Sequence, residues 1–164
     1  MSSSKPAGER AAASRTTRVL AALPRYLRTG VRSTHDVLSY LRRRGVSAGR
    51  AAGLIAEYRA RGWLDDRAAA RLWAEHWVRQ GYAASAIRAR LSAKGCSEDV
   101  IDEAATRCCP PTDDQARARL VAARHARRAS TGQRARFRLA RALASRGFEP
   151  DLIEQVLNES RGRE

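Results

Sequence analysis

The residues of this chain that could do chemistry are mainly arginines. Between Gln115 and Phe148 there are ten arginines and no acidic residue. Helical spacing sorts them into two stripes, which consist of Arg117, Arg124 and Arg128 on one helix and Arg134, Arg138 and Arg141 on the next. A row of arginines that no carboxylate balances predicts contact with an anionic partner, and a solvated basic surface is the alternative.

No arrangement of residues predicts catalysis. The three histidines are far apart in the sequence: His35, His76 and His125. We expect His76 to pack between two tryptophans rather than to act as a base. Asp65 and Asp66 are best explained as helix caps, because no third acidic or histidine ligand lies nearby in the sequence. Without a phosphate-binding glycine loop or an HExxH motif, we expect no enzyme, no metal and no cofactor.

The overall charge narrows the class of partner. The formal net charge is +15 over 164 residues, and only Lys5 and Lys94 of the 32 basic residues are lysines. Such a balance predicts attraction to a polyanion or to an acidic protein surface. The number of cysteines is odd: Cys96, Cys108 and Cys109. An odd number argues against a disulfide framework and for a reducing compartment. Since no apolar run is long enough for a membrane span, we predict a cytoplasmic protein.

The elements that must position the arginines are helices joined at glycines. The same offsets occur three times: Leu41, Gly45 and Val46; Leu91, Gly95 and Cys96; Leu143, Gly147 and Phe148. A helix that ends on a left-handed glycine brings the next residue against the residue four positions before the glycine. Each leucine should therefore contact the residue that follows its glycine. The glycines recur about every 50 residues, so we predict one helical unit per 50 residues.

Few residues favour strands, so the predicted class is all-α. We place a disordered basic tail at 1–16, helical units at 17–61, 62–109 and 110–159, and a polar tail at 160–164. Pro24 is expected to break or kink the helix predicted over 17–27.

From about Thr34 to Leu157 the sequence resembles the RecX family of regulatory proteins. The most specific part is Gly-Trp-Leu-Asp-Asp at 62–66, followed by Gly81-Tyr82, Ile87, Leu91, Lys94-Gly95, Leu143 and Arg146-Gly147-Phe148. The resemblance implies three tandem three-helix repeats in an elongated, curved molecule. It also implies binding to the RecA recombinase filament on DNA and inhibition of strand exchange, ATP hydrolysis and the SOS response.

Two positions depart from the family pattern, since Ala69 stands where an aromatic residue is usual and Trp77 where an arginine is usual. If these positions contact RecA in relatives, the middle unit binds differently here. We expect a monomer that contacts RecA and, weakly, DNA through its basic faces. The alternatives are a stand-alone DNA-binding protein and a passive helical scaffold.

Overall fold

The computed structural model describes residues 7–126 and 132–161. Within these ranges the chain forms nine α-helices and no strand, which confirms the all-α prediction. The helices are α1 (Ala7–Arg28), α2 (Thr34–Arg43), α3 (Ala48–Ala60), α4 (Asp66–Gln80), α5 (Ala84–Ala93), α6 (Glu98–Cys108), α7 (Asp114–Ala126), α8 (Gln133–Ala144) and α9 (Pro150–Arg161). One turn of 3-10 helix, Pro111–Asp113, precedes α7. None of the described helices is long and apolar enough to cross a membrane.

The predicted glycine corners are present, and two more share their geometry. Positive φ angles between 70° and 80° occur at the five corner glycines: Gly45, Gly62, Gly81, Gly95 and Gly147. At each corner the amide of the residue after the glycine donates to the carbonyl four positions before the glycine, for example from Val46 to Leu41 at 3.1 Å. The glycine amide donates to the carbonyl three positions back. This pair of bonds defines the Schellman motif and satisfies carbonyls that a helix end leaves free.

The helices group into two compact bodies that divide between Ala69 and Ala70, within α4. In the first body the apolar faces of α1, α2 and α3 form one core, with these buried members: Val19, Leu23, Val37, Tyr40, Leu41, Val46, Ala51, Leu54, Ile55 and Leu64. The Tyr26 and Tyr40 rings stack at 4.2 Å between centroids. Arg32 and Arg44 lie 4.6 and 3.8 Å from the centroids of these two rings. Cation–π contacts therefore extend the stack on both sides.

The second body contains two cores. The first joins α4, α5 and α6 around Ile87, Leu91 and Ile101, and the second joins α7, α8 and α9 around Leu143, Phe148 and Val156. Ala83, which precedes α5, belongs to the second of these cores. The start of α5 is therefore packed against the last three helices.

Three local expectations need correction. Residues 7–16, predicted to be disordered, belong to α1, and the high helix propensity of their alanines explains this. Helix α1 continues through Pro24, so the break that was one of the two outcomes expected there does not occur. Helix α9 runs to Arg161, into the predicted polar tail. Residues 1–6 and 162–164 of the predicted tails lie outside the described ranges, and the predicted unit boundaries at 61 and 109 stay predictions.

Candidate partner-binding face

An acidic residue at the start of α7 holds the start of α5. The Asp114 carboxylate accepts from the Ala84 amide at 3.0 Å and pairs with the Arg117 guanidinium. Arg117 also donates to the Pro110 carbonyl at 3.0 Å and is only 5% exposed. Arg117 is therefore not available to a partner, which corrects the prediction for this residue. The spacing of apolar and basic residues predicts on which side of its helix a side chain lies. It does not predict which carboxylate pairs with that side chain.

The first body contains a similar arrangement at the start of α4. Asp66 accepts from the Thr34 amide at 2.7 Å and pairs with Arg59 at 3.0 Å. Asp65 accepts from the Ala68 amide at 3.0 Å and so caps α4, as predicted for this residue. Asp66, by contrast, caps the start of α2 rather than its own helix. Asp65 and Asp66 thus each accept from a backbone amide at the start of a helix.

Four further arginines between Gln115 and Phe148 have structural partners. Arg124 and Arg146 donate to carbonyls at the end of α4, those of Arg79 (3.1 Å) and Gln80 (3.3 Å) respectively. These bonds satisfy carbonyls that the helix end leaves free. Arg124 was predicted as a partner contact; it is exposed but already has this structural role.

The other two of these arginines hold α9. Arg119 makes two 2.8 Å bonds to the Glu159 carboxylate, which raise the pKa of the guanidinium. Arg136 donates to the Leu157 carbonyl at 3.2 Å and to the Asn158 side chain at 3.1 Å. Both side chains therefore tie helices of the second body together.

Three further arginines lie on α8 with exposed side chains. Arg134, Arg138 and Arg141 are exposed and lie on one side of the helix, opposite the buried Leu139 and Leu143. No hydrogen bond or ion pair holds any of the three within the described part of the chain. We call these three residues the α8 arginine face. Arg128, the remaining predicted contact, lies outside the described residues.

An aromatic residue that we did not predict borders this face. Phe137 is 70% exposed, the highest value among the exposed large apolar side chains of the described residues. Arg134 and Arg141 are three residues before and four residues after it, which makes them its neighbours on the helix surface. The helical spacing alone could have revealed this, because Phe137 falls on the arginine side of α8. The face is therefore both cationic and apolar.

The histidines and cysteines singled out in the sequence have different surroundings in the structure. Among the described residues no group of three His, Cys, Asp or Glu side chains is placed to hold a metal. His76 is exposed, so the prediction that it packs between tryptophans is wrong. Burial raises the pKa of the Cys108 and Cys109 thiols, which keeps both protonated and weakly nucleophilic near neutral pH. Cys96, predicted to be buried, is only partly so.

The two positions that depart from the family pattern have different surroundings. Ala69 is buried, at 4% exposure, so its own side chain is not available to a partner. Trp77 packs partly against the core of α4, α5 and α6, and Arg90 lies 5.8 Å from its ring centroid. A substitution of arginine by tryptophan here therefore exchanges a charge for packing within the second body.

The described residues define an all-helical repeat protein with an exposed cationic face on α8. Family models for the second and third three-helix domains of RecX match residues 65–104 and 112–157, together more than half of the chain. The chain belongs to the RecX family of regulatory proteins, which confirms the resemblance noted in the sequence. No curated protein matches it.

Solved structures agree on the fold. RecX from Lactobacillus salivarius superposes with a TM-score of 0.62 at 19% identity, covering 90% of this chain and 97% of that one. A second structure, of the regulatory protein RecX, gives a TM-score of 0.66 at 20% identity and covers 96% of this chain and 81% of that one. The likeness extends over both bodies and supports an all-helical RecX-type architecture.

Proposed function

We propose that this protein binds the RecA recombinase filament on DNA and inhibits its recombination and ATPase activities, which modulates DNA repair and the SOS response. Family membership supports the choice of RecA. The observation that carries the proposal is the α8 arginine face, three exposed cations without a carboxylate partner within the described residues. A filament of protein and DNA presents negative charge, and cationic side chains steer and hold such a partner.

We assign binding to Arg134, Arg138 and Arg141, and to Arg124 only in part, because its guanidinium already donates to the Arg79 carbonyl. Arg128 remains a predicted contact. The protein acts as a monomer and without chemistry of its own. Because the partner is a DNA-bound filament, the proposal also places the protein in the cytoplasm.

Charge reversal of the face tests the proposal. The variant Arg134→Glu, Arg138→Glu, Arg141→Glu lowers the formal charge of +15 by six while changing only exposed side chains. We expect it to lose roughly 100-fold or more in affinity for RecA filaments, because like charges placed opposite each other cost several kcal/mol. Inhibition of the RecA ATPase should be lost in parallel, and the circular dichroism spectrum should not change.

A matched control separates the face from net charge. The variant Arg42→Glu, Arg43→Glu, Arg50→Glu changes the formal charge equally at exposed arginines of α2 and α3. It should retain most of the inhibition. Equal loss in both variants would show that total charge, rather than the α8 arginine face, governs binding. Full inhibition by a folded α8 variant would refute the assignment.

Stand-alone DNA binding is the second candidate, since the same arginines could contact phosphates of naked DNA. Affinities for naked DNA and for RecA filaments, compared at physiological salt, distinguish the two. If the wild type binds naked DNA as tightly as the filament and does not inhibit the ATPase, the second candidate replaces the first.

A further inference from the structure

The first turn of α5 is a protein-docking surface inside the second body. The amide of Ala83, just before α5, donates to the Arg146 carbonyl at 3.0 Å, and the Ser85 hydroxyl donates to the Gly147 carbonyl at 3.1 Å. A Cβ built on Gly147 would lie only 2.6 Å from the Cβ of Ala86. The start of α5 therefore packs directly on the corner between α8 and α9. The interface thus consists of two backbone carbonyls that accept hydrogen bonds and one close contact with an apolar side chain.

Helix α8 carries the equivalent positions. Both helices end in the same corner, with the amide after the glycine bonded to Leu91 in one and to Leu143 in the other. Counted back from the corner glycines, Ser85 and Phe137 are each ten residues away. Arg138 corresponds in the same way to Ala86, the residue that Gly147 approaches. The docking position of α5 thus recurs on α8 with an aromatic and a cationic side chain.

The two surfaces differ in what covers them. The α5 surface is occupied by the corner between α8 and α9, whereas Phe137 is 70% exposed and Arg138 and Arg141 are exposed beside it. An exposed aromatic side chain among cations that have no partner in residues 7–126 and 132–161 is the composition of a binding hot spot rather than of a solvated surface. The occupant must supply an apolar contact for the ring and oxygens for the guanidinium groups.

We propose that Phe137 and the α8 arginine face dock an acidic segment of a protein partner, with an apolar side chain seated on the Phe137 ring and carboxylates on Arg138 and Arg141. This inference rests on the proposed function, and it assigns the α8 contact to the protein of the filament rather than to its DNA. Charge complementarity selects the occupant, because no acidic residue lies between Gln115 and Phe148.

Two other occupants fit less well. A second copy of the chain would bring another net charge of +15 to a face that is already cationic. Single-stranded DNA binds by stacking successive bases on several aromatic rings, and Phe137 is the single aromatic residue of α8. At the equivalent position of α5, moreover, the occupant is a protein helix corner.

The test compares single substitutions at exposed apolar residues. Phe137→Ala removes the ring, and Leu120→Ala on α7 is the matched control, since Leu120 is 59% exposed outside the proposed surface. Affinities are measured for RecA filaments assembled on single-stranded DNA and for the same oligonucleotide without RecA. We expect Phe137→Ala to weaken filament binding roughly 10- to 100-fold, as truncation of an aromatic hot spot does. Binding to the free oligonucleotide should stay within about two-fold, and Leu120→Ala should change neither.

A third variant separates burial from stacking. Phe137→Leu keeps an apolar side chain but cannot stack on a base, so it should recover most of the filament affinity. Equal losses for Phe137→Leu and Phe137→Ala, with weaker binding to the free oligonucleotide, would assign the ring to DNA and overturn the inference. Unchanged filament binding by Phe137→Ala would also overturn it, while the proposed function would stand if the charge reversal still abolishes inhibition. A wild-type protein that does not bind the filament would refute both.

Discussion

Replacing Gly147 by alanine tests the contact between α5 and the corner that follows α8. The backbone of Gly147 has φ = 79°, a left-handed conformation that costs a residue with a Cβ about 1–2 kcal/mol. The new Cβ would lie 2.6 Å from the Cβ of Ala86, whereas carbon atoms in contact are normally about 3.5–4 Å apart. Forcing a shift of about 1 Å in a packed interface costs about 1–3 kcal/mol more. We therefore expect a total loss of about 2–5 kcal/mol in the free energy of unfolding.

Two companion variants separate these contributions. Gly45 has φ = 78° with no neighbouring atom within 4 Å of its Cβ position, so Gly45→Ala should cost only the conformational part, about 1–2 kcal/mol. Ala86→Gly removes the obstructing Cβ, and the next atoms, Cα and N of residue 86, are at 3.5 and 3.6 Å. The double variant should therefore be more stable than the sum of the two single effects predicts, by about 1–3 kcal/mol.

Urea denaturation followed by the fluorescence of Trp73 and Trp77 measures the effect, because both tryptophans lie in the same body as Gly147. The coupling free energy from the double-mutant cycle is the decisive quantity. A coupling below about 0.5 kcal/mol would refute direct packing of α5 on the corner. It would also remove the evidence that the start of α5, the position equivalent to Phe137 on α8, is a docking surface.

Two other expectations concern buried groups of the second body. Asp114→Ala should lower the free energy of unfolding by about 3–5 kcal/mol, because the buried Arg117 would lose its hydrogen-bonded carboxylate and keep only the more distant Asp113, at 3.9 Å. Urea denaturation measures this loss, and a loss below about 1 kcal/mol would contradict the buried pair. Burial raises the folded-state pKa of Cys109, so its contribution to stability is complete below the ordinary thiol pKa of about 8.5 and is lost as the pH rises through the folded-state value. Stability should therefore fall above about pH 8.5, less steeply in Cys109→Ala, and identical slopes in denaturation series at pH 7–10 would contradict this.

The helix corners could be predicted from the sequence because their cause is local. A left-handed glycine fixes which residues meet within one turn, so the offsets from Leu41 to Val46 and from Leu143 to Phe148 were sufficient to place three corners. The corners at Gly62 and Gly81 have the same bonds, from Trp63 to Tyr58 and from Tyr82 to Trp77. They were missed as repeats because aromatic residues replace leucine at the position four before each glycine.

The bonding partners of the arginines could not be predicted in the same way. Helical spacing placed Arg117 and Arg124 on the same helix, but it did not identify their partners. The carboxylate at Arg117 belongs to the start of its own helix, and the carbonyl at Arg124 belongs to the end of α4. Phe137 was missed for the opposite reason, because a large apolar residue is expected to face a core. Its position on the arginine side of α8 was the signal that could have placed the ring on the surface, and the structure shows it 70% exposed.

The arginine-rich composition therefore has two causes that the structure separates. Guanidinium groups present a planar set of donors that suits carbonyls at helix ends, and Arg124, Arg136 and Arg146 are used in this way. These arginines have a structural role whether or not the protein binds a partner. The net charge alone therefore overstates the number of arginines available for binding. Within the described residues no hydrogen bond or ion pair holds the α8 arginine face. Its three cations and the exposed Phe137 are therefore the part of this arginine-rich segment that we propose for partner binding.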